Sequence, residues 1–543
     1  MTRPTIALFG ASGTMGFQAF RELWRRRERF NLAVLALPED QRRGIFDPYL
    51  RLAGAPRLRG RGVAQGDGLK MVWGDATRYE DVAETIRGAD RVLNAMAYIS
   101  PMADYNPEQA RRVNVEAIAH ILRAIENEPN GAERIAYIHT GSVAQTGNRP
   151  PGIHFGRVGD PLKPAVFDYY ALTKIEGERL VLESGLRYWV SLRMTFILPT
   201  RFDELLGLLD PILYHLPLNA CMENITDRDA GYGLANCAEI PLHSDFWRRV
   251  YNMGGGEGMR TTAYDFLSMV YNLFGLRLEA CTERRWFATR NFHMQFFEDS
   301  HLLNDYLHHQ RDTLADFRRA ILSTMPPAVR LARWLLQRLP LLRRAAERGL
   351  FRWQRRVVEN HPNSPLYWVK SGNQWRIRAF YKSLEDFHAI PEWNASGDDF
   401  SPPAEWRRLN HGYDEARPVL TLADVQRAAV FRGGECLSEH WNGDWYQPLE
   451  WRCAFGHEFS ARPYTVLKAG HWCPDCVSEW NGDEQARRSP FFAQVWYADH
   501  DPQENYYYPR EGLEDIRGAN RPARRRRSVP VLKPAVGQAQ AER

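Results

Sequence analysis

Residues 5–27 read TIALFGASGTMGFQAFRELWRRR, and this stretch decides the fold. The first five residues, Thr5–Phe9, are apolar and predict a buried strand, whereas the amphipathic run 17–27 predicts a helix. Between them lies GASGTMG, a glycine turn that leaves the free N–H groups of the helix N-terminus open to a pyrophosphate. An ordinary strand-to-helix turn is the alternative. We expect a dinucleotide cofactor to contact these loop residues: Gly10, Ser12, Gly13, Thr14, Met15 and Gly16.

The same alternation of strand and helix continues to about residue 275. Short apolar runs predict strands at 32–37, 70–73, 91–95, 134–139 and 188–193, with helices at 79–87, 107–127 and 169–184. Strands that alternate with helices require crossover connections, so the pattern predicts an α/β fold with a doubly wound parallel sheet. Beyond residue 285 the sequence becomes mostly helical.

Composition limits the class of protein. The 543 residues suggest two to four domains, and a hydrophobic content of 44% excludes a wholly disordered chain. The net charge of +5, from 71 basic and 66 acidic side chains, does not indicate a nucleic-acid binder by bulk charge. We expect a cytoplasmic protein, because the sequence has no membrane-spanning run, no secretory signal at its start and no dense disulfide pattern among its seven cysteines.

A catalytic set is predicted from two further segments. In YALTK, Tyr170 and Lys174 are four residues apart on a predicted helix and so share one face. The strand IAYIH continues into TGSVAQTG, which places Ser142 at a strand end. A tyrosine with a pKa near 10 needs a neighbouring cation to act as a base at neutral pH, and Lys174 would supply it. The alternative is an incidental pair on a helix surface.

Together with WGDAT (73–77), RVLNAMA (91–97), RVNVEA (112–117) and VYNMGGGEG (250–258), these motifs resemble the extended short-chain dehydrogenase/reductase family, also called NAD-dependent epimerase/dehydratase. The resemblance covers roughly the first 280 residues and implies a Rossmann-type domain. It implies Tyr170 as general acid/base, Lys174 as its tuner and as a ligand of the nicotinamide ribose, and Ser142 as a hydrogen-bond donor to the substrate oxygen. It also places Asp75 and Ala76 beside the adenine and Ala95 in the cofactor cleft.

The end of the second predicted strand bears on the choice of cofactor. The segment PEDQRRG (38–44) follows Leu37. An acid here would bind the ribose hydroxyls of NAD, and an arginine would suit the additional phosphate of NADP. Glu39 and Asp40 are candidates for the first role and Arg42, with Arg43 beside it, for the second. We expect NAD(P), with a slight preference for NADP through Arg42. The alternative is that these side chains belong to an ordinary solvated loop.

Two departures from the family pattern concern the substrate. Thr146 stands before Gly147, where many sugar-nucleotide members have tyrosine, and LRMTFILPT (192–200) lacks their tyrosine-glycine-proline turn. We therefore expect an oxidoreductase that moves a hydride to or from a carbonyl or alcohol of a fairly apolar small molecule. The alternatives are a nucleotide-sugar epimerase or dehydratase with tightly bound NAD, and a redox-sensing regulator that contacts DNA or a partner. The apolar run 205–218 would be either a lid or a core helix.

The last third contains a predicted metal site. Cys453 and His457 are separated by three residues, Cys473 and Cys476 by two, and the two pairs by fifteen. Two such chelating turns can present four ligands to one zinc ion, and a full set of protein ligands makes the metal structural. The segment resembles zinc-ribbon modules, with GGECLSEHWNG (433–443) as the first part. Three further residues are reserve ligands: Cys436, His440 and His471. Nucleic-acid binding through this module is the less favoured reading.

The stretch 329–356 has nine arginines and one acid, Glu347, interleaved with Leu, Trp and Phe, and Pro340 should interrupt it. It predicts either a helix pair packed on the protein, which we favour, or peripheral contact with an anionic membrane. The segment after Arg521, with arginines at 524–527, predicts a disordered basic tail. Four divisions follow: 1–284 (dehydrogenase), 285–425 (helical extension), 426–480 (zinc ribbon) and 481–543 (C-terminal segment). A small-molecule substrate and homo-oligomer formation complete the expected partners.

Overall fold

A computed structural model of the chain describes residues 3–207, 210–394, 399–513 and 516–517. Its main element is an eight-stranded sheet whose strands, in chain order, are β1 (Thr5–Phe9), β2 (Asn31–Ala36), β3 (Gly62–Gly66), β4 (Leu69–Trp73), β5 (Arg91–Asn94), β6 (Ala136–Ser142), β7 (Tyr188–Met194) and β8 (Arg249–Met253). The spatial order is β8-β7-β6-β5-β1-β2-β4-β3, and every neighbouring pair is parallel except β3 with β4. The predicted α/β fold with a doubly wound parallel sheet is confirmed.

Helices cover both faces of this sheet, and β1 shows how. Ile6 and Leu8 point into one core, which includes residues of the helix Thr14–Arg25. Their neighbours Ala7 and Phe9 point into a second core on the other face. All four side chains are fully buried, as expected for a strand in the centre of an α/β sheet.

Helices of the first 284 residues have the following bounds: Thr14–Arg25, Asp47–Leu52, Tyr79–Ile86, Met102–Tyr105, Pro107–Arg111, Ala117–Glu126, Gly131–Arg134, Tyr169–Leu182, Phe202–Leu206, Asp227–Cys237, Ala263–Leu273 and Leu278–Cys281. Those of the remainder are Ser300–Leu307, Leu314–Thr324, Pro327–Arg338, Pro340–Asn360, Pro365–Ser371, Gln374–Tyr381, Leu384–Ala389, Leu422–Phe431, Pro474–Val477, Gly482–Arg488 and Pro490–Trp496. Short strands lie at Phe155–Gly156, Ile197–Leu198, Cys221–Glu223, Ile225–Thr226, Arg260–Thr262 and Phe296–Phe297.

The chain after residue 284 packs closely on the part before it. The strand Phe296–Phe297 pairs in parallel with Phe155–Gly156, and Leu303 and Leu307 belong to the core on one face of the main sheet. Near the C-terminus, Asp499 forms an ion pair with the buried Lys163. The proposed division at 284/285 stays a prediction, and the segments on its two sides share a core.

Two uncertain segments of the sequence have clear structures. Within the run 205–218, of which 208–209 lie outside the described residues, one short helix ends at Leu206 and Pro211–His215 forms a 3₁₀ turn. Leu205, Tyr214 and Leu216 lie in an apolar core. Pro340 separates the helices Pro327–Arg338 and Pro340–Asn360, as predicted. The tail after Arg521 lies outside the described residues. Among the described helices, none has both the length and the apolar character needed to cross a bilayer.

Candidate active site

The candidate site lies at the carboxyl edge of the main sheet. β1 ends at the glycine loop, its neighbour β5 ends before Ala95, and β6 ends with Ser142. From β1 the chain continues to β2 on one side, while β5 adjoins β1 on the other. Such a reversal of strand order opens a crevice at the carboxyl ends, where doubly wound sheets bind their ligands.

The glycines at 10 and 16 are required by close backbone contacts. Gly10 has a φ of +77°, and a Cβ there would lie 2.7 Å from the carbonyl carbon of Ala95. A Cβ on Gly16 would come within 2.0 Å of the carbonyl oxygen of Gly10. Gly13 is the N-cap of the following helix and is exposed. Thr14 is exposed and Ser12 half-buried, whereas Met15 is buried on the core side.

The second strand end places an arginine beside this loop. β2 ends at Ala36, and Pro38–Arg43 forms a 3₁₀ turn. The Arg43 guanidinium donates a hydrogen bond to the carbonyl oxygen of Ser12 (2.9 Å) and lies 3.4 Å from Asp40. Arg42, the residue chosen from the sequence, is exposed on the same turn. The sequence alone could not decide between two adjacent arginines, because the 3₁₀ turn sets which one faces the loop.

The residues expected near the adenine follow β4. Asp75 is half-buried, and its carboxylate accepts a hydrogen bond from the backbone N–H of Thr77 (2.9 Å). Ala76 is buried, and its carbonyl oxygen lies 3.2 Å from Nδ1 of His120. Both residues therefore lie at the same carboxyl edge as the glycine loop, two strands away from it.

Tyr170 and Lys174 lie one turn apart on the helix Tyr169–Leu182, called here the Tyr170 helix. Asp168 caps this helix by accepting a hydrogen bond from the N–H of Ala171 (2.9 Å). Burial raises the pKa of Tyr170 to about 12, although its hydrogen bond with Ser142 acts in the opposite direction. Burial also lowers the pKa of Lys174 to about 8, and its ammonium donates a hydrogen bond to the carbonyl oxygen of Thr140.

This geometry brings the predicted set together, because Ser142 contacts Tyr170 and Lys174 contacts the backbone of β6 two residues earlier. At neutral pH the phenol of Tyr170 is protonated and can donate its proton, as a general acid does. A hydroxyl and a phenol that face the same space can hold one substrate oxygen between them.

Asn114 connects the segment that follows β5 to the Tyr170 helix. It lies in a π-helical turn, Arg112–Glu116, that interrupts the long predicted helix 107–127. Its side-chain amide donates hydrogen bonds to the carbonyl oxygen of Tyr98 (2.9 Å) and to the hydroxyl of Thr173 (3.0 Å), and its oxygen accepts one from the N–H of Tyr98 (2.8 Å). π-turns are frequent at functional sites, and nothing in the residue pattern predicts one.

A buried charge network that the sequence did not reveal supports Ser142. Gln145 donates a hydrogen bond to Glu178 (2.8 Å), and its side-chain oxygen accepts one from the N–H of Ser142 (2.7 Å). Glu178 forms a fully buried ion pair with Arg193 (2.7 Å) and a hydrogen bond with His471 (2.9 Å). His471, a reserve zinc ligand in the sequence, therefore connects the Cys/His module to the Tyr170 helix.

A second acidic cluster lies at the start of the Tyr170 helix and was also missed. Burial and the adjacent charge of Asp168 raise the pKa of Asp104 to about 7, while the N–H of Tyr169 donates to its carboxylate (2.8 Å). Nδ1 of His293 lies 3.0 Å from Oδ2 of Asp168. Only the fold brings these residues together, because 125 positions separate His293 from Asp168.

The four predicted metal ligands form one cluster. A three-stranded antiparallel sheet (Gly434–Cys436, Leu449–Cys453, Glu458–Ala461) positions it. Nδ1 of His457 lies 3.4 Å from the sulfurs of Cys453 and Cys476 and 3.5 Å from that of Cys473. Tetrahedral zinc bonds of about 2.3 Å to sulfur and about 2.0 Å to nitrogen require sulfur–nitrogen separations of about 3.5 Å. The cluster therefore fits a zinc ion.

Several solved structures of low sequence identity resemble part of this chain. No family model and no curated protein matches the chain. A dTDP-glucose 4,6-dehydratase from Bacillus anthracis, in complex with NAD, is 14% identical with a TM-score of 0.43, covering 59% of this chain and 96% of its own. A UDP-glucose-4-epimerase from Stenotrophomonas maltophila, with bound NAD and formylated UDP-arabinopyranose, is 14% identical with a TM-score of 0.45. The match covers 60% of this chain and 98% of that protein. A short-chain dehydrogenase/reductase superfamily protein from Agrobacterium tumefaciens, with bound NAD, is 18% identical with a TM-score of 0.41. The match covers 62% of this chain and 99% of that protein. These structural neighbours are NAD-binding epimerase, dehydratase and short-chain dehydrogenase/reductase proteins.

Proposed function

We propose that the chain is an NAD(P)-dependent oxidoreductase that interconverts a carbonyl and an alcohol on a fairly apolar small molecule. The observation that carries the proposal is the contact of Ser142 with Tyr170 at the carboxyl edge of the sheet, with Lys174 one helical turn away. The glycine loop lies at the end of a strand two places along the same sheet. Cofactor and substrate can therefore meet in one crevice.

The residues of the crevice fit a dinucleotide. A side chain at Gly10 or Gly16 would collide with backbone atoms, so the loop keeps a close turn onto the helix N-terminus, where the pyrophosphate of a dinucleotide would bind. We propose that Asp75, Ala76 and Ala95 line the adenine and cofactor cleft and that Lys174 holds the nicotinamide ribose. Arg42 and Arg43 favour the phosphate of NADP. When bound, the nicotinamide supplies or accepts the hydride.

The chain's own residues handle the proton. In the reducing direction, Tyr170 donates its phenolic proton to the substrate oxygen, and Ser142 holds that oxygen by a hydrogen bond. The positive charge of Lys174 stabilises the phenolate that remains. In the oxidising direction the same phenolate removes the alcohol proton. Asp168, two residues before Tyr170, lies at the start of the Tyr170 helix, and His293 contacts its carboxylate there.

An apolar substrate is supported by a cavity of about 340 Å³ whose lining is mostly apolar and includes none of Ser142, Tyr170 and Lys174. Its lining includes Leu213, Tyr214 and Phe287. The ring of His215, the next residue, lies 6.3 Å from that of Phe292, which stacks on His293. Ring contacts thus connect His215, the chain neighbour of the cavity residue Tyr214, with His293 at the Asp168 end of the Tyr170 helix. We also propose that Cys453, His457, Cys473 and Cys476 bind one structural zinc ion.

Tyr170→Phe tests the assignment, with Tyr169→Phe as the matched control on the same helix turn. Loss of the acid should reduce turnover by about 10²–10⁴-fold. Affinity for NADPH and NADH, measured by fluorescence titration, should be nearly unchanged. Turnover is measured with a panel of aliphatic and aromatic aldehydes and ketones and with any compound that mass spectrometry finds co-purified. A Tyr170→Phe protein that keeps its rate would refute the mechanism, and tightly bound NAD with no need for external reductant would favour an epimerase or dehydratase.

A further inference from the structure

The two helices Pro327–Arg338 and Pro340–Asn360, called here the arginine hairpin, are attached to the protein along one side only. Val329 and Phe351 pack against the apolar core next to the Ala263–Leu273 helix. Glu347, buried on that side, forms an ion pair with Arg277 (2.9 Å). The orientation of the hairpin on the protein is therefore fixed, and its other face is open to solvent.

The open face has an unusual concentration of exposed apolar side chains. Both tryptophans among the exposed large hydrophobic residues of the described chain lie here, and Leu341 at the corner is 79% exposed. Five of the six lie within twelve consecutive residues around the junction at Pro340. Exposed apolar side chains concentrated in one segment in this way indicate an interaction surface. The set comprises Leu331, Trp334, Leu339, Leu341, Leu342 and Trp353.

Positive charge surrounds these apolar residues. Seven hairpin arginines are exposed: Arg330, Arg338, Arg344, Arg348, Arg352, Arg355 and Arg356. Within the described part of the chain, Arg343 and Arg355 are the hairpin arginines that have a carboxylate within 4.0 Å. The Arg338 guanidinium lies 5.7 Å from the ring centre of Trp334, so charge and aromatic surface occur side by side. The face therefore complements a partner that is both anionic and apolar.

We propose that the arginine hairpin is a docking surface for an anionic phospholipid bilayer. Leucine and tryptophan side chains of an interfacial helix enter the boundary between headgroups and acyl chains, and arginines bind the anionic headgroups. Each basic residue near such a surface contributes about 1 kcal/mol. A second copy of the chain fits this face poorly, because seven exposed arginines would meet seven others. A nucleic acid would leave the leucines of the corner without a partner.

The apolar cavity supports the same choice of partner. Trp353 is 58% exposed on the hairpin and also lines the cavity of about 340 Å³, together with Leu350 and Val357 of the same helix. An apolar molecule that leaves the bilayer beside Trp353 would enter the cavity without crossing bulk water. This delivery of substrate rests on the proposed function, whereas docking on the bilayer does not.

Co-sedimentation of the full chain with vesicles tests the docking. We expect the protein to sediment with vesicles of phosphatidylcholine and phosphatidylglycerol in equal amounts, and to remain in the supernatant with phosphatidylcholine alone. High salt should reduce the binding, because it screens the headgroup charge. Sedimentation requires no turnover, so an inactive protein that binds vesicles would count against the proposed function and not against the docking.

Two pairs of variants separate the contributions. Arg348→Gln with Arg352→Gln should weaken binding about twenty-five-fold, which is about fivefold per arginine. The control pair Arg51→Gln with Arg59→Gln removes two exposed arginines elsewhere and should bind like wild type. Leu341→Ser with Leu342→Ser should weaken binding by at least tenfold, and Leu52→Ser with Val419→Ser is its control. Circular dichroism checks that each variant is folded.

Three results would overturn the proposal. Folded hairpin variants that bind vesicles like wild type would place the docking elsewhere on the chain. Equal binding to both kinds of vesicle would exclude the role of the arginines. Absence of vesicle binding, with self-association in sedimentation velocity that Leu341→Ser and Leu342→Ser abolish, would assign the face to a second copy of the chain.

Discussion

The network around Glu178 gives the sharpest prediction for stability. Glu178→Gln keeps the size of the side chain and removes its charge. Arg193 then remains as a fully buried cation without its carboxylate partner, which lies 2.7 Å away in the native protein. Breaking a buried ion pair by removing one partner costs about 3–5 kcal/mol. We therefore expect the free energy of unfolding, measured by urea titration and circular dichroism, to fall by about that amount.

A matched control lies on the same helix. Glu176 pairs with Arg111, but both side chains are more than 40% exposed, so Glu176→Gln should cost about 0–1 kcal/mol. Burial alone would raise the pKa of Glu178, but the charge of Arg193 and the hydrogen bond from His471 hold it well below its usual value. The carboxylate thus stabilises the native state above about pH 4, and the difference between the variant and wild type should shrink as the pH falls below that. If Glu178→Gln costs less than 1 kcal/mol more than Glu176→Gln at pH 7, this account of the network is wrong.

Two further predictions concern Lys174 and the zinc cluster. Burial lowers the pKa of Lys174 from 10.5 to about 8, so holding its charge in the native state costs about 3 kcal/mol at pH 7. Lys174→Met removes this cost but also loses the hydrogen bond to Thr140. The free energy of unfolding should therefore rise by about 1–3 kcal/mol, and turnover should be abolished. The gain in the free energy of unfolding should be complete below pH 8 and should vanish by about pH 10.4. A variant that is less stable than wild type at pH 7 would contradict this prediction. Cys473→Ser should lower the zinc content, measured by atomic emission, from about one ion per chain to near zero. Cys436→Ser, a buried cysteine on the same small sheet but outside the cluster, should keep the metal, and the reverse result would change the ligand set.

Much of the sheet could be predicted from local patterns. β1, β2, β4, β5 and β7 appear within two residues of the predicted ends, because central strands are continuous apolar runs. β3 was missed since GVAQG has little strand propensity and forms only against β4. β8 was missed because the polar residues Arg249 and Asn252 break up its short apolar run, although every residue except Arg249 is buried. At Asn114 the residue pattern predicts an ordinary α-helix, whereas the structure has a π-turn.

By itself, the sequence predicted the candidate groups whose members are close together along the chain. Gly10 to Gly16, the pair Tyr170 and Lys174, and the two chelating pairs of the zinc cluster lie within one turn or one loop, where local geometry fixes which side chains meet. Tertiary structure decided the rest. His471 contacts Glu178 across 293 positions, and Asp168 faces His293 across 125. No residue pattern specifies such contacts, because the free energy of the whole packed core, and not any local propensity, selects which distant polar groups are buried together.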